Sequence, residues 1–234
     1  HPSERRRDRD RSPTEKLMRS EASMISDTNA GRRLLDIVLS GGAMIAISPL
    51  LLLIAIAVRL DSRGPVFFRQ FRVGLNEVPF RIVKFRTMVV DAERRGPKIS
   101  GSKDPRVTRV GGVLRATKMD ELPQLWNVLT GEMTLVGPRA EVPDMIRHYT
   151  SEERQILKVK PGLTGPGQIY FTTDQAAELD AVEDVEAHYV SHQLHPKLAL
   201  DLEYLRCRNL WTDLGVIVRT MGLLLRPPTG ASGR

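Results

Sequence analysis

The most constraining feature of this sequence is an apolar run from Leu34 to Val58 in which Asp36 is the only charged residue. Its roughly 25 residues would form a helix of about 37 Å, enough to cross the hydrocarbon core of a bilayer. Two observations argue against a simple crossing. Ser48-Pro49 stands mid-run, where proline removes a backbone donor and clashes with the preceding turn, so a break is expected there. Arg32 and Arg33 precede the run and Arg59 and Arg63 follow it, so the preference for basic residues on the cytoplasmic side selects neither end as the outer one. Residues 31–60 are therefore expected to be a re-entrant helix hairpin, each half of about 12 residues reaching about 18 Å before returning to the same face. Ser48 is placed to bond a preceding carbonyl that the proline leaves free. A kinked single span is the competing reading.

The net charge of +7 is local in origin. Between residues 59 and 119 there are 15 Lys and Arg against 5 Asp and Glu, and the rest of the chain is net acidic. Such a stretch suits nucleic acid, an anionic membrane or a phosphate-bearing substrate, and charge alone does not choose among them. No zinc-finger spacing or RNA-binding motif accompanies it, which argues against nucleic acid. The single cysteine, Cys207, excludes an intrachain disulfide and fits a reducing compartment.

Residues 1–30, rich in Arg, Asp, Ser and Glu, read as a disordered arm, and 227–234 as a tail. Between them, residues 61–226 form the expected cytosolic domain. Pro65–Val73 and Pro79–Phe85 are β-rich around Gly74–Glu77 and predict a hairpin. A mobile loop is expected over 91–106. Leu122, Leu125, Trp126 and Leu129 recur at helical spacing, predicting a short helix from about Asp120 to just before Gly131. Another helix is expected over about 176–193. From Leu198 to Leu225 the spacing is again helical, with Tyr204 and Trp211 as candidate membrane-interface anchors. The fold class is thus α+β and mainly helical: a membrane hairpin, a small β-hairpin and amphipathic interfacial helices.

Chemistry concentrates around Asp120-Glu121, with Pro123 tolerated because it falls in a first helical turn. Carboxylates at a positive helix end are favoured in their ionised forms, as a nucleophile or metal ligand must be. Capping of the helix by Asp120 is the plain alternative. Lys84, Arg86, Arg106, Arg109, Arg115 and Arg139 supply an excess of phosphate-binding groups, and that excess near carboxylates suggests phosphoryl transfer with a divalent cation.

Taken in order, Arg32-Arg-Leu-Leu-Asp36, Ser48-Pro49, Gly64-Pro-Val-Phe-Phe-Arg-Gln70, Lys84-Phe-Arg-Thr-Met88, Asp104-Pro-Arg-Val-Thr-Arg109, Leu114-Arg115, Asp120-Glu-Leu-Pro-Gln124, Val136-Gly-Pro-Arg139 and Lys160-Pro-Gly-Leu-Thr-Gly165 resemble the bacterial sugar transferases known as monotopic phosphoglycosyl transferases. The chain is similar to the small members, which start glycan and exopolysaccharide assembly. The resemblance implies that Asp120 attacks the sugar-linked phosphate of a UDP-sugar, that UMP leaves, and that undecaprenyl phosphate takes the phosphosugar from the aspartyl intermediate. It implies Mg2+ held by Asp120, Glu121 acting on the acceptor, and Lys84, Arg86, Arg115 and Arg139 holding phosphates. It also implies a break of the membrane helix at Ser48 and Pro49, and a bacterial inner-membrane location with the catalytic domain facing the cytosol. Self-association is left open, as is a non-catalytic scaffold role. The segment Gln168-Ile-Tyr-Phe-Thr-Thr173 departs from the family pattern, so the nucleotide contacts there and the sugar are not assigned.

Overall fold

A computed structural model of the chain describes residues 30–94, 96, 104–170, 182 and 185–224. The tail, the arm up to residue 29, half of the 91–106 loop and the first part of the helix expected at 176–193 lie outside the described residues.

The apolar run folds as one helix, α1 (Ala30–Asp61), with Pro49 inside it. Helical structure thus runs through the position where a break was expected, and a local bond serves the carbonyl that the proline leaves free. Pro49 has no N–H to offer the carbonyl of Ile45, one turn earlier, and the Ser48 hydroxyl donates to that same carbonyl at 2.8 Å. Leu34, Ile45, Leu52, Leu53 and Leu60 are exposed along α1, whereas Asp36, Ser40, Ile54 and Val58 are buried. α1 is long and apolar enough to cross a membrane.

The chain then forms the expected antiparallel hairpin, β1 (Phe67–Val73) and β2 (Pro79–Phe85), paired from Phe67–Phe85 to Val73–Pro79. Gly74 closes its turn, donating to Val78 O at 3.0 Å; an added Cβ would sit 2.9 Å from that oxygen. α2 (Arg109–Ala116) begins at Thr108, whose hydroxyl accepts from Gly111 N. After a 3-10 segment comes α3 (Leu125–Thr130), which ends at Gly131 in the left-handed region, φ 88°. Asn127 brackets α3 to the hairpin: its amide oxygen accepts from Val83 N at 3.0 Å, and its nitrogen donates to Arg81 O and Glu132, both at 2.8 Å. The fully buried Val128 packs there with Phe80, Ile82 and Met133.

Further on, β3 (Thr134–Val136) pairs in parallel with β4 (Gly162–Thr164), followed by the short α4 (Pro166–Tyr170). α5 (Val185–His188) runs through a π-helical segment, Tyr189–Leu194, into α6 (His195–Cys207). The last apolar stretch is not one helix with α6. Asn209 breaks it, its side chain accepting from Trp211 N and Thr212 N to start α7 (Leu210–Leu224). Trp211 is exposed, as an interface anchor would be. Tyr204 is not: it is buried, with its hydroxyl bonded to Asp213. The largest core gathers Met145, Tyr149, Ile156, Leu194, Leu198 and Leu205, among others, from the later elements.

Both ends of α1 are fastened to this domain. Near its start, Arg33 donates to the carbonyls of Val128 and Leu129 at 2.6 Å each, Arg32 pairs with Asp213 at 2.9 Å, and Asp36 accepts from Thr134 Oγ1 at 2.8 Å and Leu135 N at 2.9 Å. Near its end, Asp61 accepts from Val110 N at 3.0 Å, and Ile54 and Val58 pack on Phe85 and Leu114. Replacing Asp36 with Ala should cost about 1–3 kcal/mol by leaving the Thr134 hydroxyl and the Leu135 amide without their acceptor. Thermal unfolding of the detergent-solubilised protein measures this, with Leu34→Ala as the exposed control.

Candidate active site

Asp120 and Glu121 lie on the first turn of the 3-10 segment Met119–Gln124, which starts from Lys118 in a left-handed conformation, φ 58°. Lys118 holds the cap position, so Asp120 is not a helix cap. Glu121 Oε1 accepts from two cations, Lys84 Nζ at 2.5 Å and Arg139 Nη2 at 3.2 Å. Lys84 comes from the inner face of β2. Arg139 comes from the Val136–Arg139 turn after β3. Arg115, on the last turn of α2, donates through Nε to Thr87 Oγ1 at 2.9 Å and contributes its charge at Asp120.

Neighbouring in sequence, the two carboxylates differ in state. Burial works against ionising Glu121, but Lys84 and Arg139, with the hydrogen bond from Lys84, outweigh it and hold the group far below the usual carboxylate range. Asp120 goes the other way. Burial pushes its carboxyl up and Glu121 adds to that, with Lys84, Lys118 and Arg115 opposing. This corrects the expectation that a helix-end field favours ionisation of both: a single 3-10 turn supplies little dipole, and desolvation dominates at Asp120. Asp120 also accepts no hydrogen bond and forms no ion pair with the described residues.

Arg86 does not join this group. It is buried and donates to the carbonyls of Arg63 at 3.0 Å and Ser62 at 2.7 Å, and to the Ser62 hydroxyl at 2.9 Å. Its electrostatic neighbours are Arg59 and Asp61 rather than Asp120 or Glu121. It holds the carbonyl end of α1, a role that the motif pattern did not reveal. Arg106 is likewise occupied, forking onto Asp104 at 2.5 and 2.9 Å.

Side chains that were not singled out in the sequence complete the cleft beside Glu121. It is lined by Arg72, Ile82, Lys84, Gln124, Arg139 and Gln168, among others. Gln168, the first residue of the divergent segment, accepts from Arg139 Nη1 at 3.4 Å. Beneath the turn lies Asp201 of α6, accepting from Gly167 N at 3.0 Å and from the backbone of Arg139, with burial pushing its carboxyl up to about 7. The turn is packed backbone to backbone: a Cβ on Gly162 would meet Gly137 N at 2.1 Å, and one on Gly165 would meet Gly137 O at 2.3 Å. An acidic residue amid the apolar helical pattern of 198–205 was the available signal for Asp201.

The family model described as "Bacterial sugar transferase" matches residues 27–227 of this sequence. The chain belongs to that family. Among its relatives, the UDP-glucose:undecaprenyl-phosphate glucose-1-phosphate transferase of Caulobacter vibrioides is 39% identical over 199 residues, covering 83% of this chain and 69% of the relative. The Escherichia coli protein of the same name is 40% identical over 197 residues, 81% of this chain and 39% of that protein. An Aeromonas hydrophila relative, named for N-acetylgalactosaminephosphotransferase activity on the same lipid phosphate, is 36% identical over 83% of this chain and 43% of its own length. The chain thus spans well under half of some relatives and about two thirds of another.

The sign of the Asp120 shift gives a stability test. Because its folded pKa is raised, ionisation in the fold is penalised, and the penalty grows as pH rises from the ordinary aspartate range through the folded value. Asp120→Asn, which forfeits no hydrogen bond, should therefore unfold at a higher temperature than wild type at pH 8, with the gap narrowing towards pH 4. Melting curves across that range report it.

Proposed function

We propose that this chain transfers a sugar 1-phosphate from a UDP-sugar to undecaprenyl phosphate through an Asp120-linked phosphosugar, with release of UMP. The observation that carries the reading is the division of labour between adjacent carboxylates: Glu121 is committed to Lys84 and Arg139, while Asp120, desolvated and without a hydrogen-bond partner among the described residues, sits in the field of Lys84, Lys118 and Arg115. A desolvated carboxylate beside cations is suited to attack a phosphorus whose oxygens those cations hold.

An Asp120 oxygen attacks the sugar-linked phosphorus. The bond to the bridging oxygen breaks, and its electron pair leaves with UMP. A phosphate oxygen of the polyprenol phosphate then attacks the same phosphorus and restores the Asp120 carboxylate. Lys84, Arg115 and Arg139 hold and neutralise phosphoryl oxygens, and Glu121 orients the acceptor. Asp120, having no other partner among the described residues, fits as the protein ligand of a Mg2+ otherwise held by substrate phosphates; the described residues contain no cluster of three or more His, Cys, Asp or Glu that would cage a metal. When bound, Mg2+ supplies charge neutralisation on the diphosphate. The relatives' names cover both glucose and N-acetylgalactosamine transfer, so the sugar stays open.

The reading extends to topology. Arg33 and Asp36 at one end of α1 and Val58 and Asp61 at the other bond or pack against the same domain, so a domain lying outside the hydrocarbon keeps both ends on its own side. With basic residues at both ends, this supports a re-entrant α1 in the bacterial inner membrane, with the domain on the cytosolic side.

Purified protein incubated with UDP-sugars, Mg2+ and undecaprenyl phosphate should release UMP, and Asp120→Asn should lose at least about a hundredfold, as removal of a covalent nucleophile does. Without acceptor, rapid quench should find one phosphosugar mass on the Asp120 peptide; its absence throughout the time course would point to direct transfer. For topology, cysteines at Ala30 and Arg63 in a Cys207→Ser background should both resist an impermeant thiol reagent in intact cells. Labelling at residue 30 but not at 63 would establish a conventional span.

A further inference from the structure

We propose that Arg72, which no motif reading assigned, is a phosphoryl-binding residue forming the floor of the cleft beside Glu121. The proposal rests on the transferase reading and adds a fourth cation to the three, Lys84, Arg115 and Arg139, that hold phosphoryl oxygens there. Arg72 and Lys84 project from the same inner face of the β-hairpin: Arg72 pairs across with Phe80, and Ile82 and Lys84 follow at successive alternate positions of β2. All three side chains line the cleft, with Arg139 opposite. The Arg72 side chain is 14% exposed and that of Arg139 39%, so one lies at the bottom and the other at the mouth.

The charge balance of this cleft is unfinished. Three cations line it, and Glu121 is the one lining carboxylate. A single oxygen of Glu121 already serves two of them, Lys84 at 2.5 Å and Arg139 at 3.2 Å. Arg72 makes do with neutral acceptors, Ala140 O at 3.1 Å and Gln70 Oε1 at 2.9 Å. It also forms a long ion pair with Glu141, at 3.8 Å, and that carboxylate is itself bonded by the Tyr189 hydroxyl at 2.9 Å. The Nε of Arg72 is buried and has no hydrogen-bond partner.

A guanidinium used only as a brace would bring a buried charge and an orphaned donor where a neutral amide could reach the same carbonyl, and both features are costly. An incoming phosphoryl group removes both costs. Its oxygens accept from the unused Nε–H and bring negative charge closer than the long pair with Glu141 does, and the planar guanidinium fork suits such oxygens. The same chemistry is offered by the diphosphate of the donor and by the phosphate of the lipid acceptor, so separate measurements distinguish them.

The test compares full-length wild type, Arg72→Gln and Arg72→Lys in detergent. Calorimetry measures the binding of UMP and, separately, of a short-chain polyprenyl phosphate, and steady-state assays measure KM for each substrate. Arg72→Gln should weaken binding of one phosphate probe by about tenfold or more, as expected for loss of a charged hydrogen bond, and raise the KM of the matching substrate more than it lowers kcat. Arg72→Lys keeps the charge without the fork and should fall between. A shift with UMP assigns Arg72 to the donor, and a shift with the lipid probe assigns it to the acceptor. The proposal is overturned if folded Arg72→Gln binds both probes as wild type does, if wild type binds neither, or if kcat and melting temperature fall with binding unchanged, as for a brace. Should Arg72→Gln not fold, Arg72→Lys decides on the same criteria. Binding needs no turnover, so wild type that binds UMP but releases none from any UDP-sugar would defeat the transferase reading while leaving the Arg72 comparison legible.

Discussion

A carboxylate inside an apolar helix is costly unless its oxygens are fully engaged, and Asp36 of α1 is engaged by the very strand that leads into the active site. Its two oxygens accept from the Thr134 hydroxyl and the Leu135 amide at the start of β3. β3 runs directly into Gly137-Pro138-Arg139, and Arg139 reaches Glu121. One turn earlier, Arg33 gathers the carbonyls at the end of α3, the helix that follows the reactive pair. The long apolar helix and the turn that presents Arg139 are therefore a single bonded unit.

Within the site, the cations settle on one of two adjacent acids. Lys84 and Arg139 converge on Glu121 and leave Asp120 in a dry position without a hydrogen bond. Such an arrangement is unfavourable for the resting protein, and this kind of local strain is common where a side chain must react rather than support. A substrate phosphate would compete for the same cations and loosen their hold on Glu121.

Local chemistry made much of this legible in the sequence. The hairpin followed from alternation and its Gly74 turn, the helix end at Gly131 from glycine's tolerance of positive φ, and the Ser48 bond from the donor that Pro49 lacks. Lys84, Glu121 and Arg139, spread over more than fifty residues, meet as the motif order suggested, and Arg115 lies within the field of Asp120. What was not legible depended on tertiary neighbours. Arg86 shares a motif with Lys84, yet β2 ends at Phe85 between them, and Arg86 is used on the carbonyl end of α1. Tyr204 looked amphipathic until Asp213 was found beneath it. Arg72 and Asp201 are placed by partners distant in sequence, which no periodicity records.

The turn that presents Arg139 is built from missing atoms. Gly137, Gly162 and Gly165 approach so closely that a single methyl group on Gly162 or Gly165 would collide with backbone. The turn therefore has almost no room to vary in shape, whereas Gln168, only three residues beyond Gly165, lines the same cleft with a side chain held by long hydrogen bonds to Arg139 and Gly162 O. Change in donor preference has an easy route through positions such as Gln168 and almost none through the turn itself. A scaffold divided in this way can keep its phosphoryl chemistry constant while exploring which sugar it accepts.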